Sequence, residues 1–155
     1  MKTQKWLIVT VLVSLAALLL SVAPAGAQAE VTEFTQWESC TTTNAGTWTF
    51  PDGNMHVRGM ILLCAETASD PRVAGSNTVV VNANWGADGL GPMWGTWRLV
   101  NEGGVWEGTW EGFSTASGNQ LHVAGMGKGG YEGLKLWQEG GNGVYQGRIL
   151  DPHGD

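Results

Sequence analysis

Short runs rich in Val, Thr, Trp, Leu and Ile alternate with clusters of Gly, Asn, Asp and Ser from Val31 to the C-terminal end of the chain. Such runs are typical of β-strands, and the clusters are typical of turns. No window sustains the 3.6-residue period of an amphipathic helix. The pattern predicts an all-β protein with strands near 31–40, 46–50, 55–64, 77–84, 94–100, 105–113, 120–126, 131–138 and 144–150.

Most connections between these runs are too short for anything but hairpins, so strands that are neighbours in sequence are expected to be neighbours in the sheet. Only the connections 65–76 and 85–93 are longer. Loops of this kind often carry function, and they also serve as plain connectors.

The segment from Trp94 to Phe113 predicts a hairpin with a defined register. A turn over 101–104 sets Val100 opposite Val105. The pairs that follow are Leu99 with Trp106, Trp97 with Gly108 and Gly95 with Trp110 on an apolar face, and Arg98 with Glu107 and Thr96 with Thr109 on a polar face. Each indole then covers a glycine on the opposite strand, and a slip of one residue would lose all of these pairs.

A weak repeat of an aromatic residue, then Glu or Gln, then Gly occurs at 104–108, 130–133 and 143–147, and each copy is expected to open a strand just after a turn. Glycines inside strands often mark bends or gaps that a large side chain covers, and repeated bends close a sheet. We therefore expect a single antiparallel up-and-down β-barrel of about eight strands. Its interior is either filled by side chains or holds one small ligand.

The N-terminal segment predicts a cleavable secretory signal peptide. Lys2 and Lys5 precede an apolar run over 6–20, and small residues follow over 23–29. A cut after Ala27 or after Ala29 fits the small-residue requirement, and we favour the first, which gives a signal peptide over 1–27 and a β-barrel domain over 28–155. The alternative is a membrane anchor, but a run of about 15 apolar residues is shorter than the roughly 20 that span a bilayer. The expected location is extracellular or periplasmic.

Charge excludes two kinds of partner. Cleavage of the signal peptide removes two lysines and no acidic residues. The rest of the chain then has 6 Lys+Arg and 14 Asp+Glu, a net charge of −8. A chain of this charge is not expected to bind nucleic acid, or a membrane surface once the signal is removed. The acidic residues are scattered, which is typical of a solubilising surface.

The two cysteines, Cys40 and Cys64, lie in the exported part and are predicted to form a disulfide. A three-residue loop with a type I turn over Pro51 and Asp52, and Gly53 in the left-handed region, places Cys40 directly opposite Cys64. A redox-active pair would favour a Cys-x-x-Cys spacing, which the chain lacks.

No motif in the sequence predicts a metal site or a cofactor. His56, His122 and His153 are far apart and lack the spacing of a zinc motif. Glu107 and Glu111 share a strand face, but an arginine partner for Glu107 favours a solvated face over acid–base chemistry.

Aromatic residues are the strongest candidates for a binding site. Trp97, Trp106 and Trp110 are expected either to fill the core or to line a cavity for an apolar or planar ligand. The residues expected to face the lumen are Trp97, Trp106, Trp110, Tyr131, Tyr145 and His122. His122 belongs to this set only if the inner and outer faces of its strand are reversed.

The chain resembles the allene oxide cyclase-like and dirigent-like barrels, in which a glycine-rich turn runs into an aromatic-x-Gly strand. The segments that carry the resemblance are 70–72, 91–96, 106–110, 125–134 and 143–147. It implies an eight-stranded barrel with a largely apolar lumen, often in homo-oligomers. No catalytic residue of either family can be matched to a position here, and a likeness to avidin-type barrels at Gly46-Thr47-Trp48 is more distant.

Three functions remain open from the sequence. The first is a secreted barrel that binds a small apolar ligand in its lumen. The second is a cofactor-free isomerase or cyclase of the allene oxide cyclase type. The third is a structural or protein-interaction barrel with a filled core.

Overall fold

Nine strands make up most of the protein, and the computed structural model describes residues 29–154. The strands are β1 (Glu30–Asn44), β2 (Thr47–Thr49), β3 (Met55–Ala68), β4 (Gly75–Trp85), β5 (Gly91–Asn101), β6 (Gly104–Thr115), β7 (Gly118–Gly129), β8 (Lys135–Gly141) and β9 (Val144–Asp151), with short 3-10 segments at Pro51–Gly53 and Pro71–Val73. The all-β prediction is confirmed. The predicted signal peptide lies outside the described residues, and within 29–154 no helix has the length and apolar character needed to cross a bilayer.

The strands form one antiparallel sheet that closes into a ring. Each strand from β3 to β8 pairs with the next strand in sequence, and β1 pairs with both β9 and β3. Residues 61–68 of β3 pair with β1, while 56–58 of the same strand pair with β2. The ring thus contains eight strands. The short strand β2 follows β1 and pairs with the same edge of β3, beyond the part that β1 occupies.

The predicted register of the hairpin formed by β5 and β6 is confirmed at every pair, from Val100 opposite Val105 to Gly95 opposite Trp110. Along β5 the side chains alternate strictly between buried and exposed positions. Trp97 and Leu99 point inward, whereas Arg98 points outward. The apolar and polar faces of the hairpin are therefore the inner and outer faces of the ring.

Large indoles fill the space that inward-facing glycines leave. Trp110 covers Gly95, as predicted: a Cβ on Gly95 would lie 2.8 Å from the indole nitrogen and 1.7 Å from the carbonyl oxygen of Val80. Trp97 pairs with Gly108 in register, yet its ring reaches one strand further and lies over Gly125, where a Cβ would meet the indole at 2.5 Å. These positions require glycine because a side chain would collide with backbone or with a buried ring.

The turn that joins β2 to β3 differs from the prediction. Asp52 and Gly53 both have positive φ, 52° and 81°, and the N–H of Asn54 donates to the carbonyl of Pro51 at 2.9 Å. Two central residues at positive φ define a type I′ turn, whose twist matches that of a hairpin. The predicted type I turn over Pro51 and Asp52 is therefore wrong.

The cysteine pairing is nevertheless confirmed. The two-residue turn shifts β2 by one residue against the predicted register, so that Trp48 faces Val57. An irregularity between Thr42 and Asn44 in β1 shifts the register back. Cys40 then lies opposite Cys64, and the two form a disulfide with their Cα atoms 4.0 Å apart.

The repeat at 130–133 does not open a strand. Tyr131 lies in the turn between β7 and β8, and β8 begins at Lys135. The N–H of Leu134 donates to the carbonyl of Tyr131 at 3.1 Å, which closes this turn. The predicted strand over 131–138 therefore starts too early, because the aromatic residue serves to fill the interior from a turn.

One end of the ring is solidly packed. The rings of Trp106 and Tyr131 stack there with their centroids 5.2 Å apart. The indole N–H of Trp106 donates to the carbonyl of Arg72 at 2.8 Å, and the hydroxyl of Tyr131 donates to Asn101 at 2.7 Å. The segment Pro71–Val73 lies against this end with Val73 buried, and the surrounding core consists of Phe34, Leu99, Leu136 and Ile149.

Replacing both cysteines by alanine should lower the free energy of unfolding by about 3 kcal/mol, because the bond joins residues 24 apart in sequence and restricts the unfolded chain. Urea unfolding of Cys40→Ala/Cys64→Ala measures this change. Alkylation of the unreduced, unfolded protein should find no free thiol. A labelled cysteine in that sample would contradict the disulfide.

Gly95→Ala should destabilise the protein by about 2 kcal/mol or more, because the new methyl group collides with the Val80 carbonyl and the Trp110 indole. Gly86→Ala is the matched control, since its Cβ would come close only to the end of the flexible Asp88 side chain, at 2.9 Å, and would lie at an ordinary contact distance of 3.7 Å from the Leu90 carbonyl oxygen. The control should change stability by less than about 0.5 kcal/mol. Equal urea midpoints for the two variants would show that Gly95 is not a packing requirement.

Candidate functional site

The end of the ring opposite the stacked Trp106 and Tyr131 contains a cavity of about 260 Å³. The apolar side chains that line it are Met60, Leu62, Val79, Val81, Trp85, Met93, Trp97, Trp110, Leu121 and Val123. On β3, β4 and β7 these residues alternate along the strand, as required for side chains on the inner face of a sheet. The exposed residues Asn119 and Asn142 lie at its mouth.

Two indoles form fixed walls of this cavity. The indole N–H of Trp97 donates to the carbonyl of Ala124, and that of Trp110 donates to the carbonyl of Val80, both at 3.2 Å. Because each N–H is satisfied by backbone, the rings are held in place and present apolar surface to the cavity. The indole N–H of Trp85 also lines the cavity but has no partner among the described residues.

Polar side chains from β1, β4, β8 and β9 line the floor of the cavity, namely Glu38, Asn77, Gln138 and Tyr145. Glu66 of β3 is buried next to them and does not itself line the cavity. Glu38 of β1 lies directly opposite Glu66 of β3 in the sheet. The hydroxyl of Tyr145 donates to Glu38 at 3.2 Å, and the amide of Asn77 donates to Glu66 at 2.8 Å. Gln138 of β8 completes this group, which we call the polar floor.

Burial changes the protonation of both carboxyls. It raises the pKa of Glu66 from its ordinary 4.5 to about 8, and the negative charge of Glu38 adds to the rise, while the Asn77 amide opposes it. Burial also raises the pKa of Glu38, against a hydrogen bond from Tyr145 that lowers it. Near neutral pH the pair therefore retains a proton, held on Glu66.

Several atoms of the polar floor lack a hydrogen-bond partner among the described residues. They are Oε2 of Glu66, Oδ1 of Asn77 and Oε1 of Gln138. The three residues are only 5%, 6% and 7% exposed. Buried polar atoms are normally paired, so each of these oxygens needs an explanation. Oε2 of Glu66 carries the proton that Glu66 shares with Glu38, whereas the amide oxygens of Asn77 and Gln138 lie beside the cavity, where water or a ligand can reach them.

The six residues predicted to face the lumen do not all lie in the same part of the ring. Trp97, Trp110 and Tyr145 line the cavity. Trp106 and Tyr131 are also interior, but they stack at the packed end and do not reach the cavity. Their place as cavity-lining residues is therefore corrected, because inward alternation does not tell at which end of the ring a side chain lies.

His122 does not face the lumen. Its side chain is exposed on the outer face, where its Nδ1 lies 3.8 Å from a carboxylate oxygen of Glu139. Its neighbours Leu121 and Val123 point inward and line the cavity. The ordinary alternation of β7 holds, so the reversed reading that placed His122 inside is wrong.

The sulfur atoms of Cys40 and Cys64 lie within 4.8 Å of a carboxylate oxygen of Glu38. Metal binding by cysteine needs a thiolate, and both sulfurs are used in the disulfide. We therefore do not assign a metal site to this group.

Sequence reasoning missed the polar floor. A signal for it existed: Glu38 precedes Cys40 by two residues, and Glu66 follows Cys64 by two. If the cysteines lie opposite each other in antiparallel strands, the two glutamates must also lie opposite each other and on the same face. The carboxyl pair therefore follows from the predicted disulfide.

Comparison of the chain with protein-family models, with curated proteins and with solved structures finds no match in any of the three. The resemblance to the allene oxide cyclase-like and dirigent-like barrels therefore stays a prediction. The interpretation of the site rests on its own residues.

Stability should fall as pH rises from about 5 to about 9. The folded protein keeps the proton of Glu66 up to a pKa of about 8, whereas the unfolded chain releases it near 4.5, so folding binds a proton in this window. A pKa difference of this size amounts to several kcal/mol, so we expect the Tm to fall by on the order of 10 °C or more, measured by differential scanning calorimetry. The pKa of Glu38 is also raised, so Glu38 contributes to the same fall in stability as the pH rises.

Glu66→Gln should flatten this pH dependence, because its side chain does not titrate. Glu111→Gln removes one exposed carboxyl and is the matched control, which should behave like the wild type. If Glu66→Gln kept the full decrease in Tm, Glu66 would not be the buried acid.

Proposed function

We propose that this protein is an up-and-down β-barrel that binds a small, mainly apolar molecule in its cavity. The observation that carries the proposal is the contrast between the two ends of the ring. One end is filled by Trp106 and Tyr131, whereas the other leaves about 260 Å³ between fixed indoles and aliphatic side chains. Protein interiors are otherwise closely packed, so a lined space of this size at one end favours a ligand.

The size of the cavity limits the ligand. A cavity of roughly 150 Å³ is known to hold one benzene molecule, so this one has room for on the order of ten non-hydrogen atoms. A single substituted aromatic ring or a short branched chain fits that limit. A long lipid chain would have to extend through the mouth between Asn119 and Asn142.

A second candidate is a cofactor-free isomerase or cyclase. The carboxyl pair favours it, because Glu38 lines the cavity and its neighbour Glu66 has a pKa of about 8, which suits proton exchange near neutral pH. Turnover would then depend on Glu66, whereas binding of a neutral apolar probe would not. A filled-core interaction barrel explains the packed end but leaves the cavity unexplained, so we rank it below both.

We also propose a cellular location and a family for the protein. We place the protein outside the cytoplasm, either extracellular or periplasmic, and the disulfide supports this location because such bonds persist in oxidising compartments. Kinship with the allene oxide cyclase-like and dirigent-like barrels is supported by a ring of eight strands around a mainly apolar cavity.

Val79→Phe should abolish binding of toluene, because the larger side chain occupies the cavity that Val79 lines. Val100→Phe makes the same change on the outer face, where Val100 is 38% exposed, and should bind like the wild type. Quenching of tryptophan fluorescence and native mass spectrometry measure the binding. We expect at least a tenfold loss of affinity for Val79→Phe only.

The absence of toluene, phenol and indole binding to the wild type would contradict the proposed function. Equal binding by the two phenylalanine variants would place the ligand elsewhere. Because both variants keep all tryptophans, a difference between them reports the cavity and not a lost fluorophore.

A further inference from the structure

The polar floor has more hydrogen-bond acceptors than donors to spare. The amide N–H of Asn77 and the hydroxyl of Tyr145 are already used on the two carboxyls. Among the fully buried side-chain atoms that surround the cavity, the unpaired acceptors are the amide oxygens of Asn77 and Gln138, and the unpaired donor is the indole N–H of Trp85. The free oxygen of Glu66 carries the proton of the carboxyl pair and donates it towards Glu38. A ligand that satisfies this floor must therefore bring N–H or O–H donors.

No basic side chain within residues 29–154 neutralises the carboxyl pair. The groups that face it are Asn77 from β4, Gln138 from β8 and Tyr145 from β9, besides Glu38 and Glu66 themselves on β1 and β3. The cationic residues of this range all lie outside the cavity, namely Arg58, Arg72, Arg98, Lys128, Lys135 and Arg148. A pair that keeps one proton carries one negative charge, and no basic side chain among the described residues neutralises it.

The contacts of four of these basic residues show that they lie away from the cavity. Arg72 forms an ion pair with Asp70 at 2.7 Å, next to the packed end of the ring. Lys128 pairs with Glu107 on the outer face. Arg58 lies over the ring of Trp94 and Arg148 over that of Trp137, and both indoles are partly exposed on the outside.

The cavity wall also suits a positive charge. The indoles of Trp97 and Trp110 line the same space as Glu38, and the faces of indole rings attract cations within about 6 Å. An aromatic wall and an anionic floor together favour an organic cation over either a neutral or an anionic molecule. A carboxylate ligand would add a second negative charge to a buried site that already holds one.

We propose that the ligand of this cavity is a small organic amine, bound as its ammonium form, with the amine on the Glu38–Glu66 pair and the apolar body between Trp97 and Trp110. An ammonium group has three N–H donors and no acceptor, which matches the unpaired oxygens of the polar floor. This inference rests on the proposed function, because it needs the cavity to bind a ligand, and it specifies the class of that ligand.

Four probes of similar size test the proposal on the wild-type protein near neutral pH: benzylamine, benzyl alcohol, toluene and benzoate. Their affinities are measured by tryptophan fluorescence and by isothermal titration calorimetry. Benzylamine should bind at least tenfold more tightly than benzyl alcohol or toluene, and benzoate should bind most weakly. This comparison needs no mutant, so it decides the proposal even if a variant fails to fold.

Glu38→Gln/Glu66→Gln should lose the preference for benzylamine and bind toluene as the wild type does. Glu139→Gln is the control for charge, since it removes a carboxylate from the outer face and should keep the preference. Glu38→Gln alone removes the charged member of the pair, the one that lines the cavity, and should lose most of the preference for benzylamine. Toluene binding confirms that the cavity of each variant is intact.

The outcomes separate this inference from the proposed function. If toluene binds but benzylamine has no advantage, the amine proposal is overturned and the cavity remains a binding site. If the double variant binds toluene normally and still prefers benzylamine, the carboxyl pair is not the amine site. If none of the four probes binds, both proposals fail.

Discussion

The pairing of β1 with β3 is the constraint on which the rest of the structure depends. It closes the sheet, so that β1 is hydrogen-bonded along both edges, to β9 and to β3. The disulfide lies in this seam, and the Glu38–Glu66 pair lies two residues further along it. Without closure there would be no interior, and the two carboxyls would face water at their ordinary pKa. The same contact thus shapes the fold and the unusual chemistry of the cavity.

The fold was predictable where large and small side chains specify one register. In the hairpin of β5 and β6, only one alignment places Trp110 over Gly95 and Arg98 beside Glu107. The hairpin of β2 and β3 has no such pattern, and its turn type was predicted wrongly. The cysteines were still paired correctly because the two-residue turn and the irregularity near Thr42 shift the register in opposite directions.

The candidate site was only partly predictable. Alternation along a strand identifies inward-facing residues, and on that basis Trp97, Trp110 and Tyr145 were placed inside. Alternation does not show at which end of the ring an inward-facing side chain lies. The sequence therefore predicts Trp106 and Tyr131 beside the same ligand, although they fill the other end. Glu38 and Glu66 were missed because acidic residues in a chain with a net charge of −6 are most often surface groups.

The two ends of the ring differ in how tightly they are packed. Val73, Trp106 and Tyr131 are buried in one continuous cluster of apolar side chains, so a change there affects the whole core. Val79, Leu121 and Val123 border open volume, so their size can change with little strain on neighbouring side chains. In evolutionary terms, single substitutions at the cavity end can change the size and shape of the cavity while the packed end preserves the fold.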